Sequence, residues 1–174
     1  MNLSKMKKLL ILIALLFCLS SEGYSTTQQP DILIYKSKTT SLFALPLHSY
    51  FKDKNTPNFM IKPRTLSTAN WRGYVATWEI IDNTLYLTNI DSYICPRLEG
   101  ECQRATLELS FGEKCIDSKV KADWFTGNLP IPDGKILKQK NVIGIAYERE
   151  IVIKIESGNL ITTTTIDNRK RYKN

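Results

Sequence analysis

From residue 71 onward the chain alternates between apolar and polar positions. In "YVATWEII", Tyr74, Ala76, Trp78 and Ile80 fall on one face of an extended strand, and Val75, Thr77 and Glu79 on the other. Asp82 and Asn83 supply a turn, and "LYLTNI" returns with Leu85 and Leu87 opposite Tyr86 and Thr88, which predicts a hairpin. Similar punctuation recurs at Thr126-Gly127-Asn128-Leu129 and at Ser157-Gly158-Asn159-Leu160, so three hairpins are predicted. The last joins "EIVIKIE", where Ile151, Ile153 and Ile155 share a face, to the β-branched run "LITTTTI". Upstream, "DILIYK" reads as a first strand. Leu47, Tyr50 and Phe51 stand at i, i+3 and i+4 and predict one or two helical turns that end by Pro57. The stretch 52–70 is polar, contains prolines and lacks a period, so it reads as an ordered loop. These elements predict a mainly β fold: an antiparallel sheet, either a sandwich or a partly closed barrel, with at most one short helix.

The first 25 residues break this pattern. Lys5, Lys7 and Lys8 precede the apolar run Leu9 to Leu19 and a short polar stretch, "SSEGYS", which is the layout of a secretory signal peptide over residues 1–25. The apolar run falls short of the roughly 20 residues a spanning helix needs. Cleavage after Ser25, with Gly23 the alternative, satisfies the small-residue requirement. Phe17 before Cys18 argues against lipidation there, because that position is normally small. Residues 26–174 then form a single β-rich domain that ends in a basic tail over 169–174, with no transmembrane segment after cleavage. The expected location is outside the cytoplasm, periplasmic or extracellular.

The formal net charge of +7 shrinks once the leader is set aside, and Arg169, Lys170, Arg171 and Lys173 of the tail hold most of what remains. The folded body is therefore close to neutral. The tail reads as a solvated terminus, and no nucleic-acid partner is expected. Cysteine use agrees with export. Cys95, Cys102 and Cys115 survive cleavage, and "CPRLEGEC" closes a short loop that makes Cys95–Cys102 the simplest disulfide, although Cys115 could pair with either. Zinc would need a fourth ligand, and the single histidine, His48, lies far upstream, so no metal is expected.

Candidate binding residues lie at two aromatic junctions. Trp71 sits where loop becomes strand, beside Arg72 and before Gly73; burial is not enforced there by alternation. It either caps the end of the core or, with Arg72, forms a contact surface, since both side chains are flat and stack well on sugar rings or partner side chains. In "ADWFTG", Asp123 and Trp124 pose the same choice: Asp123 fixes a turn or pairs with a lysine, or else accepts hydrogen bonds from a ligand. Trp78 reads as core.

Catalytic signatures are weak. A serine or cysteine hydrolase needs a positioned base, and His48 in "LPLHSYF" reads as structural or surface. Glu79, Asp82 and Asp123 could serve a small cell-envelope hydrolase as paired carboxylates near aromatic side chains. Phosphate loops and dinucleotide fingerprints are absent from the sequence, and no cofactor is expected. A non-enzymatic binding module for an envelope protein or glycan is the favoured expectation, with the carboxylate hydrolase as the alternative.

Thr68-x-x-Trp71-Arg72-Gly73-Tyr74-Val75-Ala76-x-Trp78-Glu79-Ile80, followed by "NTLYL", Ala122-Asp123-Trp124-Phe125-Thr126-Gly127 and Pro132-x-Gly134-Lys135, resembles a group of small, uncharacterised exported bacterial proteins. The resemblance covers roughly residues 31 to 156. It implies a shared fold and brings no activity or catalytic residue with it. That group carries a histidine- and glycine-containing aromatic stretch after Pro-x-Gly-Lys; "ILKQKNVIGIAYERE" keeps Gly144, Tyr147 and Glu148 without the histidine.

Overall fold

The computed structural model describes residues 28–52, 56–97, 100–137 and 146–171. The predicted leader and the last three residues of the basic tail lie outside them. The elements in chain order are β1 (Asp31–Tyr35), β2 (Lys38–Leu42), α1 (Pro46–Phe51), β3 (Phe59–Met60), β4 (Val75–Ile81), β5 (Thr84–Asp91), β6 (Tyr93–Ile94) and β7 (Gln103–Arg104). They continue as α2 (Leu107–Phe111), β8 (Cys115–Ile116), β9 (Lys119–Lys121), β10 (Gly127–Leu137), β11 (Ala146–Glu156) and β12 (Asn159–Asp167). The fold is mainly β, as the alternation predicts. α1 occupies the predicted helical turn, and α2 is a second short helical segment that the periodicity did not reveal.

The main sheet runs β10-β11-β12-β5-β4-β1-β2, with the β8–β9 hairpin added on β5. All its pairs are antiparallel except β1 with β4, which are parallel, with Leu33 beside Trp78. The two ends of the order, β2 and β10, touch without sharing a ladder. The sheet thus curls but does not close. Pro130 and Pro132 give a physical reason: both pair with β11 at alternate positions, opposite Val152 and Glu150, so both ring nitrogens face the other edge of β10. An edge without those N–H groups cannot extend a ladder to β2. A separate small sheet, β3-β6-β7, packs at one end.

Tight turns set the registers. Asp82 and Asn83 have φ of 47° and 59°, the backbone of a type I′ turn, and Ser157 and Gly158 repeat it at 46° and 77°. Two of the three predicted hairpins are therefore present. The third is not: Gly127, Asn128 and Leu129 open β10 and run straight on. Two other type I′ hairpins take its place, at Asp117-Ser118 and at Lys36-Ser37, the latter with positive φ on side chains that rarely signal it. In β5 the pairing slips between Thr77 and Trp78, leaving Thr88 as an extra residue whose hydroxyl donates to the Thr77 carbonyl. That bulge changes which parity faces inward. Leu85 and Leu87 are buried before it, Ile90 and Ser92 after it.

The core joins Leu33, Leu42, Leu47, Trp78, Leu85, Leu87, Val120, Leu129, Ile153 and Ile155, all fully buried. Trp78 is the largest of them, as its place on the inward face of β4 predicts. Cys95 and Cys102 form a disulfide and leave Cys115 free, the simplest pairing. The bridge fastens the small sheet, where the Asn58 side chain donates to the Cys95 carbonyl. Replacing both Cys95 and Cys102 by Ala should lower stability by about 2–3 kcal/mol through loop-closure entropy, measured by denaturant unfolding with and without reductant. Trp78→Ala should cost about 3–5 kcal/mol in the same assay.

Candidate functional site

Residues 68–70 form one 3-10 turn, and the chain then makes a tight reversal over Asn70-Trp71-Arg72-Gly73. The Gly73 N–H donates to both the backbone and the side-chain oxygen of Asn70, while the Asn70 amide donates to the Tyr74 carbonyl. Gly73 has φ of +76°, and a Cβ there would lie 1.9 Å from the Phe59 carbonyl oxygen, so only glycine lets this turn sit against β3. The geometry separates the two residues that the sequence pairs: Trp71 points out and Arg72 points in.

Arg72 is a correction to the predicted contact surface. Its side chain is 2% exposed and meets the fully buried Asp31 carboxylate at 3.0 Å. A second guanidinium nitrogen donates to the Gln29 carbonyl at 2.6 Å. Asp31 also accepts from the Ala76 N–H at 3.2 Å and from the Trp78 indole N–H at 3.1 Å. The guanidinium lies 5.0 Å from the Tyr74 ring centre. Arg72 therefore forms the floor of the site and is not a free cation on its rim. Burial holds the Asp31 carboxyl above its ordinary value, with Arg72 offsetting only part of that cost. Burial, aided by the Asp31 charge, also pushes the Tyr74 hydroxyl up to about 12.

Trp71 is 63% exposed and forms a ridge between two clefts. One, of about 360 Å³, lies toward α1 and is lined by His48, Phe51, Lys52, Thr56, Arg72 and Tyr74 besides Trp71. The other, of about 270 Å³, lies toward β3 and includes Phe59, Met60 and the highly exposed Leu66. His48 meets the indole edge-on, with ring centres 6.2 Å apart. A flat indole with an imidazole at its side and a lysine in the same cleft can stack a ring and donate hydrogen bonds to its substituents.

The second predicted edge does not form a site with the first. Trp124 is half-buried: its indole N–H donates to the Pro46 carbonyl, and its ring stacks on Phe111 and meets Tyr50 and Trp78. It anchors α1 to the core, so its indole has a structural role. Asp123 is exposed and pairs with Lys114 at 3.1 Å, the lysine partnership considered from sequence. Of the hydrolase carboxylates, Glu79 lies on β4, Asp82 in the β4–β5 turn and Asp123 beside Lys114; none lines the two Trp71 clefts. Among the described residues no three His, Cys, Asp or Glu side chains gather as metal ligands.

Sequence reasoning missed Asp31 altogether. Its signal was parity: Asp31 shares the inward face of β1 with Leu33, so an acid stands where the pattern asks for an apolar residue. His48 and Lys52 came to the site through α1, and nothing in their spacing ties them to Trp71.

Compared with known protein families, curated proteins and solved structures, the chain matches none.

Arg72→Met should destabilise the protein by about 3–5 kcal/mol, because it leaves a buried carboxylate without its cation. Since the Asp31 pKa is raised on folding, its contribution to stability is full below about 3.8 and declines as pH rises through the folded value. Carboxyl-carbon NMR titration should find Asp31 above the ordinary aspartate range in the wild type and higher still in Arg72→Met.

Proposed function

We propose that the protein is an exported, non-enzymatic binding module that takes an envelope glycan or protein on the Trp71 ridge. The observation that carries this reading is the exposure of a large indole that the turn holds outward while its neighbours Asn70, Arg72 and Gly73 are all buried. A side chain of that size left in solvent costs hydration free energy unless a partner covers it. The ridge is also rigid, because the turn beneath is fixed by the Asn70 hydrogen bonds and by the Arg72–Asp31 pair. Rigid aromatic anchors lose little conformational entropy on binding. The Cys95–Cys102 disulfide supports an oxidising compartment, in keeping with export. Among the described residues no helix is long and apolar enough to cross a membrane.

Glycan arrays and pull-downs from envelope extract, run with wild type, Trp71→Ala and His48→Ala, test the proposal. Trp71→Ala should leave stability within about 1 kcal/mol of wild type. It should weaken binding by about thirtyfold or more, the scale of a hot-spot aromatic. Unchanged binding by a folded Trp71→Ala protein would remove the ridge from the reading.

A further inference from the structure

The curled sheet treats its long edges unequally. β10 ends the order on one side, and Pro130 and Pro132 block its outer edge. β12 has a neighbour on its second side only at Asn159, paired with Thr84, and at Leu160, whose N–H donates to the Asn83 carbonyl. Beyond that point, among the described residues, no strand pairs with it, and every residue from Ile161 to Asp167 is exposed. Ile161 is 52% and Ile166 46% exposed. No proline and no charge interrupts Ile161 to Ile166, so this edge lacks the usual guards against pairing.

We propose that the free edge of β12 pairs antiparallel with the same edge of a second copy of this chain, about a two-fold axis at Thr164. The register follows from the chain. Asn168 donates to the Glu148 carbonyl of β11, and ladder bonds alternate, so Thr162, Thr164 and Ile166 bond inward while Thr163 and Thr165 turn their N–H and C=O groups outward. A two-fold axis normal to the sheet keeps the faces of both copies, so opposed residues must have the same parity. Pairing the whole free segment with itself then sets Thr163 opposite Thr165 and Thr162 opposite Ile166, all β-branched pairs that suit a sheet.

The occupant is a second copy because the ends also fit. In this register Ile166 of one copy meets Thr162 of the other, and the chain beyond it runs toward the bulge at Ile161, where Leu160 is already held by Asn83 of the β4–β5 turn. The chain leaves β12 there into the basic turn at Arg169, Lys170 and Arg171. Arg169 is held by Asp167 of its own chain, which leaves Lys170 and Arg171 to meet Asp82 of the facing turn, an exposed acid that forms no ion pair among the described residues. The symmetry provides this contact twice.

Sedimentation velocity on the mature protein from about 10 μM to about 1 mM should show a monomer–dimer equilibrium. Over the same range, amide exchange should slow at Thr163 and Thr165 with rising concentration, while Thr162 and Thr164 stay protected throughout. Thr163→Pro with Thr165→Pro removes only outward donors and should abolish the dimer; Thr163→Lys with Thr165→Lys should do the same without changing the backbone. Asp82→Asn, which keeps the turn, should weaken association about tenfold at low salt and by less at high salt. A monomer at every concentration overturns the proposal. So does a dimer that survives the edge variants in folded protein, or one in which exchange at Thr163 and Thr165 does not depend on concentration.

Discussion

The ion pair between Arg72 and Asp31 holds together the parts on which the rest of the structure depends. Both groups are withdrawn from water, and each would be costly alone. Together with the Trp78 indole, the Ala76 amide and the Gln29 carbonyl they tie the start of β1 to the turn before β4. Among the described residues no buried side-chain nitrogen or oxygen of that knot lacks a hydrogen bond, and this makes a polar centre tolerable inside an apolar core. The exposed face of the site is its direct result. With Asn70 and Arg72 on either side anchored inward and Gly73 pressed on Phe59, the turn leaves Trp71 an outward course.

The aromatic layer does comparable work on the other side of α1. Trp124 fixes Pro46 through its indole and covers Tyr50 and Phe111, so α1 is held by its first residue and presents His48 to the ridge. Of the three tryptophans, Trp78 fills the core, Trp124 clamps a helix and Trp71 meets solvent. Side-chain type alone does not distinguish these roles; the backbone that carries each one does.

The sheet was largely legible in the sequence because strand alternation records burial directly. Tyr74, Ala76 and Trp78 in β4 and Leu85 and Leu87 in β5 are buried as their parity demands, although Val75 on the opposite face is buried too, and the turns carry Asp82, Asn83 and Gly158, which accept positive φ. The hairpin expected at Gly127-Asn128 failed because the same residue types also open a strand, and only a following partner makes them a turn. Lys36-Ser37 was illegible for the opposite reason: lysine and serine do not announce a left-handed backbone, and the pairing of β1 with β2 imposes it. The inward course of Arg72 could not be read locally, since its partner lies 41 residues away. The Cys95–Cys102 bridge could be read, because a short loop with proline and glycine brings its ends together.

The parallel pairing of β1 with β4 has a bearing on how the chain is made. β1 is the first described strand, yet it sits between β4 and β2 inside the sheet, not at a margin. Its aspartate finds its partners only after Arg72, Ala76 and Trp78 have been added. Contacts of such separation must bear a long loop closure before they return any stability. The first described strand therefore gains these contacts only once residues 72–78 are present, and a chain that ends before residue 72 lacks the cation that pairs with the acid at its head.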